Sequence, residues 1–510
     1  MTSTILPSPK DLGLYYDEWR DGQWDAIESI STDPAPIIIR EAPTGTGKTG
    51  IAIGAARHNL WKTFALTMTH SLQDQYVAEG NGRVMKVIGR RNYECILPAY
   101  DPHEARERGA KEGTTVDQAP CAGGFDCPIK PSCNYFVHKG RAMDERITAH
   151  NYQYWLPEAT FSKGFTGADL LVCDEGHLLD SVLCDFSSIK LTAGRLAQLK
   201  SFGITLPPSE NVEDWREVGL RGADASSQVL RDTPHGTVER ARWETTKRLY
   251  EGLGQINNIG GDSWVVDRTQ YETVVRPVWP LNIKDILLGD KAKRALIMSA
   301  TILDIKMFAE VLGLDVADYS FEQLPFVFPP ESRPVYYRPA ATVTQETFQK
   351  AAAMLGAASS SIMGQRKGEN GVIHTQSYAL QEAVLPHIKD KDRLIIQERG
   401  VNRTDIINEY KAGSSDKWLV SPSVTHGEDF KLASVQIMLK MPFPSMRDKV
   451  VRIRMKQSQA WYKWVTAQNV EQTIGRVTRS LTDYGETYIL DSKFESIIPY
   501  LHKEVREAIR

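Results

Sequence analysis

Short apolar, β-branched runs punctuate the chain at PIIIR (from 36), FALTM (from 64), DLLVC (from 169) and ALIMS (from 295), then at GVIH (from 371), RLII (from 393), VQIML (from 435) and TYIL (from 487). Each is followed by a helix-like or turn-rich stretch. Strands buried on both faces read as unbroken apolar runs, and strands alternating with helices imply parallel sheets whose ligands sit at the C-terminal strand ends. The two series predict an α/β protein of two parallel-sheet lobes, over 1–325 and 326–510, with the crossover near the proline-rich segment Pro325 to Pro334. The first series is interrupted by a Cys-, Gly- and Pro-rich stretch, 90–146, and by a polar stretch, 186–288. Both are expected to be insertions into lobe one.

Composition changes this picture little. With 510 residues, 41% hydrophobic and 25% charged, the chain reads as a globular protein of several domains. The start MTSTILPSPKDLG lacks a signal peptide's features, and no stretch approaches the roughly 18 unbroken apolar residues of a membrane span. A cytoplasmic protein without a membrane partner is expected. Net charge is −3, from 61 basic and 64 acidic residues, so a global cationic field cannot attract a polyanion. Any nucleic-acid path must be locally basic. Six cysteines are too few for a disulfide scaffold, and a cluster of them suggests metal.

The candidate chemistry begins after the first strand, at Ala42-Pro43-Thr44-Gly45-Thr46-Gly47-Lys48-Thr49. A Gly-rich turn that opens a helix aims backbone N–H groups at phosphates. Gly45, Thr46 and Gly47 would form the cradle, Lys48 would reach the β- and γ-phosphates of ATP, and the Thr49 hydroxyl would hold Mg²⁺. Ala42 replaces the first glycine of the general pattern. Downstream, the DLLVC strand ends in Asp174 and Glu175, where Asp174 would hold Mg²⁺ and Glu175 would orient and deprotonate the attacking water. His177 and Ser299-Ala300-Thr301 are candidates for linking this end of the sheet to the second lobe. Near the C-terminus Gln472, Arg476 and Arg479 follow one another at helical spacings of four and three. They would bring nucleotide-contacting and charge-stabilising groups from lobe two, so hydrolysis would require the lobes to close.

Cys95, Cys121, Cys127 and Cys133 all lie in the first insertion, the last three in equal six-residue steps. Four thiolates can bind a [4Fe–4S] cluster or tetrahedral Zn²⁺, and spacing alone does not choose. Cys173 and Cys184 read as small buried hydrophobes. Arg90, Arg91, Lys139 and Arg141 flank the quartet and are candidates for an electrostatic channel, with Tyr93 or Tyr135 as stacking platforms. Arg452, Arg454 and Lys456 alternate with Ile453 and Met455, as a nucleic-acid edge or a solvated one. Trp461 and Trp464 read as packing residues.

Together these residues resemble the iron–sulfur helicases of superfamily 2, the XPD/DinG family, with DinG the nearer likeness, over most of the chain. Arg20-Asp21-Gly22-Gln23 looks like the adenine-recognising Q motif, with Gln23 reading the base edge. Thr69 to Gln75 resembles the motif that contacts the nucleic-acid backbone, and Cys133-Asn134-Tyr135 with Ala149-His150-Asn151-Tyr152 echoes the segment leading to the DEAH box. Thr375 to Tyr378, Gly427 to Phe430 with Asp429 at the nucleotide, and Met441 to Pro444 resemble lobe-two motifs. Gly176 stands where alanine is usual and Lys493 where arginine is common.

The resemblance implies two RecA-like lobes, an iron–sulfur insertion at 90–146 favoured by the Gly89 to Cys95 lead-in, and an arch at 186–288 that is reduced here. It also implies a monomeric DNA helicase that hydrolyses ATP with Mg²⁺, moves 5′→3′ on single-stranded DNA and opens duplex, forked or R-loop structures, with RNA left open. Two other readings stand beside it: a translocase that remodels nucleoprotein complexes without unwinding, and a metal-stapled binding module using ATP as a switch.

Overall fold

A computed structural model describes residues 6–257, 263–413, 415–422, 433–478 and 483–510. The strands are β1 (Ile37–Glu41), β2 (Thr63–Thr67), β3 (Met85–Val87), β4 (Ile147–Asn151), β5 (Ala168–Cys173), β6 (Ile189–Thr192), β7 (Trp264–Arg268), β8 (Glu272–Pro277), β9 (Ala292–Ser299), β10 (Tyr319–Gln323), β11 (Val335–Ala341), β12 (Gly371–His374), β13 (Leu394–Ile396), β14 (Trp418–Ser421), β15 (Val435–Met438) and β16 (Glu486–Asp491). All eight apolar runs singled out in the sequence are strands.

They build two wholly parallel sheets, seven strands in the order β10-β1-β9-β5-β2-β4-β3 and six in the order β11-β16-β15-β12-β14-β13. Side chains alternate between sheet faces, so Ile37 and Ile39 of β1 enter one core while Ile38 enters the other. Helices cover both faces, which is why β1 and β2 are buried along their whole length. The chain crosses between the sheets from Gln323 to Val335, through the proline-rich segment.

The stretch between β3 and β4 is a set of short helices and turns, tied by an isolated bridge between Glu94 and Thr115. The polar stretch between β5 and β9 holds the antiparallel sheet β6-β8-β7 and two long helices, Val212–Asp232 and Val238–Gly254. Asn211 and Thr237 cap them by accepting backbone N–H groups. A small core around Trp215 and Tyr250 holds the unit together, and Gly219 lets the helices approach so closely that a Cβ there would lie 2.5 Å from the Gly254 nitrogen. The two insertions touch, because Gly236 donates to the Gly123 carbonyl at 2.8 Å and Val238 to that of Arg108 at 3.0 Å.

One surface expectation is corrected, and the packing readings of Trp461, Trp464, Cys173 and Cys184 hold. Lys449–Gln457 is a helix, not an alternating edge, and Arg454 is buried in it. Its guanidinium donates to Asp180 at 2.7 Å and to the Val278 carbonyl at 2.6 Å, and stacks on Trp279. Trp461 and Trp464 pack into the core of lobe one although their helix, Gln459–Ile474, belongs in sequence to lobe two. Cys173 and Cys184 are buried. Among the described residues no helix is long and apolar enough to cross a membrane.

Candidate functional site

The strand β1 ends at Glu41, and the loop that follows turns into the helix Lys48–His58. Gly45 and Gly47 have φ of 92° and 76°, a left-handed backbone that glycine adopts without a Cβ clash. The loop is held from outside: a Cβ on Gly45 would collide with the Phe328 ring from the interlobe crossover. It is also held from within, by the Thr46 hydroxyl donating to Pro43 O at 2.9 Å.

Beside the loop lies a cleft of about 380 Å³. Lobe one lines it with Gly45, Gly47, Lys48, Thr49, Asp174 and Glu175, and lobe two with Gln472, Gly475 and Arg476. Residues more than 420 positions apart are thus brought to one cavity. Lobe two approaches closely because position 475 is glycine, where a Cβ would stand 3.0 Å from the Thr44 hydroxyl oxygen. Gln472 donates to the Thr301 hydroxyl at 2.9 Å, Gln468 to the Thr301 carbonyl at 2.8 Å, and Trp464 to the Ile302 carbonyl at 2.8 Å. One helix face therefore runs along the segment after β9.

Asp174 and Glu175 follow β5 directly, and Glu175 has a left-handed φ of 54°. Asp174 is buried, and its carboxylate accepts the Glu175 N–H at 2.9 Å. Burial first, and the charge of Glu175 second, push its carboxyl well above the usual range, while Lys48 pulls it down. Such a group gains from a cation placed against it. Next to it the Thr49 hydroxyl accepts from Gln75 at 3.2 Å. His177 meets the Ser299 hydroxyl through Nδ1 at 2.9 Å, and the same nitrogen lies 3.5 Å from Glu175.

Gln23 lies against the phosphate loop. It is 2% exposed and does not line the cleft. Its amide donates to the Thr46 carbonyl at 2.8 Å and accepts the Arg20 N–H at 2.8 Å, so it helps to fix the loop. Arg20, from the adenine-motif segment, lines the cleft, and so do Ser71, Gln75 and Glu79, the first two of which the sequence placed in a nucleic-acid-contacting motif. The last three sit at four-residue steps on the helix His70–Glu79, a periodicity that was available as a signal. Arg479 and Asp429 lie outside the described residues.

The four cysteines converge without forming a preset cage. Burial raises the Cys121 thiol to about 11, with Cys95, Cys127 and Cys133 adding to the rise and Arg90 opposing it. Among the described residues no three His, Cys, Asp or Glu side chains stand in a metal-holding arrangement. The channel expected around the quartet is largely spent on structure. Tyr135 is 1% exposed, and Arg90 donates to its hydroxyl at 3.1 Å. Arg90 and Lys139 both pair with the buried Glu158. Tyr93 bonds His138 at 3.0 Å, leaving Arg91 and Arg141 exposed, with Arg91 paired to Asp117 at 3.5 Å.

Residues 361–508 match the helicase C-terminal domain family. The chain is similar to the ATP-dependent DNA helicase YoaA of Escherichia coli (strain K12), 21% identical over 570 aligned residues that cover 90% of this chain and 88% of the relative. YoaA of Haemophilus influenzae is also 21% identical, with 89% and 88% covered. An XPD helicase structure superimposes with a TM-score of 0.62 at 15% identity, covering 95% of this chain and 98% of that one. A second XPD structure, in the apo form, gives 0.58 at 14% identity, with 96% and 98% covered. The fold is that of the XPD helicases.

Proposed function

We propose that this chain, with a helicase C-terminal domain in its second lobe and the fold of XPD, is an ATP-dependent DNA helicase of the XPD/DinG type. One observation carries the reading: Lys48, Thr49, Asp174 and Glu175 of lobe one share a cleft with Gln472 and Arg476 of lobe two. A site assembled from both lobes makes hydrolysis depend on their closure, and closure is the motion a motor needs.

In the proposed reaction the N–H groups of the loop and Lys48 hold the phosphates of ATP. Thr49 and Asp174 hold Mg²⁺, which when bound offsets phosphate charge. Glu175 orients the water and takes its proton. Arg476, and Arg479 by its sequence pattern, meet the charge that develops on the transferred phosphoryl group. Gln472 and Asp429 would contact the nucleotide from lobe two. ATP hydrolysis measured with and without single-stranded DNA tests the reading, and absence of stimulation would sink the nucleic-acid part. The 5′→3′ direction rests on the family resemblance, and a polarity-marked substrate tests it.

The thiols of Cys95, Cys121, Cys127 and Cys133 would supply the donor set of a [4Fe–4S] cluster, with Zn²⁺ as the alternative. Their mutual repulsion as thiolates is what a bound cationic centre would relieve. A translocase that does not unwind is a second reading, favoured by the compact insertion between β5 and β9 being pinned to lobe two through Arg276 and Asp448. Strand displacement on a clean fork separates the two.

A further inference from the structure

Where β1 ends, the last residue before the phosphate loop is a buried carboxylate. Glu41 is 1% exposed, and its Oε1 accepts the Leu303 N–H at 2.7 Å. Across the lobe boundary lies a second buried carboxylate, Glu471, adjacent to Gln472 on the helix that leads to Arg476. His502 stands between them. Its Nδ1 is 2.7 Å from Glu471 Oε2 and its Nε2 is 3.0 Å from Glu41 Oε1, while its backbone N–H donates to Glu471 Oε1 at 2.6 Å. A neutral imidazole carries one N–H and can serve one carboxylate only. The ring hydrogen-bonds Glu471 through Nδ1, while Nε2 faces Glu41 as an ion-pair contact, and two carboxylates within 3.0 Å of one ring favour its doubly protonated form.

The surroundings come from the interlobe crossover. The Phe326 ring meets the His502 ring edge-on at 5.1 Å, and the buried Arg333 stacks over Phe326 at 4.8 Å. Burial lowers the pKa of the Arg333 guanidinium, opposed by the charges of Glu471 and Glu504. The cluster is thus Glu41 from lobe one, Glu471, His502 and Glu504 from lobe two, and Arg333 from the crossover, which also presses Phe328 onto Gly45.

We propose that His502 is a positioning residue for ATP hydrolysis: as an imidazolium bridging Glu41 and Glu471 it fixes the phosphate-loop strand against the helix that presents Gln472 and Arg476 to the cleft. The bridge touches no substrate. It acts by setting the distance between the two halves of the site, so it matters to the reaction more than to nucleotide capture, which lobe one's loop performs. This rests on the ATP-hydrolysing reading.

The test compares the full-length wild type with His502→Gln and His502→Lys for ATP binding, unfolding and DNA-stimulated turnover. Expected for His502→Gln is a cooperatively folded protein whose ATP Kd stays within about twofold while kcat falls roughly 10- to 100-fold, the scale of a small misplacement. His502→Lys, a cation with three donors, restores part of kcat. An unchanged kcat in folded His502→Gln overturns the proposal, as does an equal loss of ATP affinity that lysine does not rescue. If His502→Gln does not fold, Glu41→Gln is measured in its place, with the same selective loss of kcat expected and an unchanged kcat overturning. Failure of both to fold makes the bridge architectural and also overturns it. A wild type that hydrolyses no ATP would sink the proposed function instead.

Discussion

Arg276 forks onto the carboxylate of Asp448, Nη1 to Oδ2 at 3.0 Å and Nη2 to Oδ1 at 2.7 Å, joining the antiparallel sheet of the second insertion to lobe two. Asp448 also caps the helix Lys449–Gln457, accepting the Val450 N–H at 2.8 Å. Asp448→Ala removes both roles and should cost about 1–3 kcal/mol in urea unfolding. Asp448→Asn keeps the cap and should cost less. Equal losses would show that the cap contributes nothing, and an unchanged Asp448→Asn would show that the fork contributes nothing.

Lys48→Ala should leave the fold intact, since the residue opens a helix at the edge of the cleft, yet reduce ATP turnover by about 100-fold or more. Circular dichroism and phosphate release measure the two halves. Retained turnover would refute the cradle.

Gln23→Ala should raise the KM for ATP by roughly tenfold with a smaller change in kcat, because it leaves the Thr46 carbonyl and the Arg20 N–H without their partner. Its preference for ATP over GTP should be unchanged. A relaxed preference would support the base-reading role.

The ordinary histidine value is about 6.5, and in the fold the carboxylates of Glu471 and Glu41 outweigh burial and raise His502 to about 10. A raised value means that the folded state holds the proton more tightly. The stabilisation is full below the unfolded value and is lost as pH rises through about 10. The wild type should therefore lose more stability than His502→Gln between neutral pH and that point. Thermal unfolding of both variants across this window checks it, and parallel curves would mean that the ring is neutral in the fold.

Protein purified without oxygen should carry iron and acid-labile sulfide and be brown, and Cys133→Ser should lose both. Colourless protein containing zinc would select the alternative metal.

Much of this was legible in the chain. Runs such as Ile37-Ile38-Ile39 can satisfy their surroundings only as strands buried on both sides, and the loop from Ala42 to Thr49 carries its geometry in its glycines. The strand β4 was not legible, because ITAHN looks polar. It is buried all the same, and the Thr148 hydroxyl meets His150 Nε2 at 2.7 Å, an arrangement no periodicity reveals. Glu158 likewise turned Arg90 and Lys139 from expected channel residues into partners of one buried carboxylate.

Two parallel-sheet lobes, the phosphate loop and the Asp174–Glu175 strand end are written in neighbouring residues and local backbone preference, whereas the helix expected to carry both Gln472 and Arg476 ends at Ile474 and leaves Arg476 in the turn beyond it. Long-range packing sets Gln23 against the loop, buries Arg454 between Trp279 and Trp461, and places His502 between Glu41 and Glu471. A side chain's partners are chosen by desolvation and packing against residues far away in the chain, and spacing along the sequence carries no record of that choice.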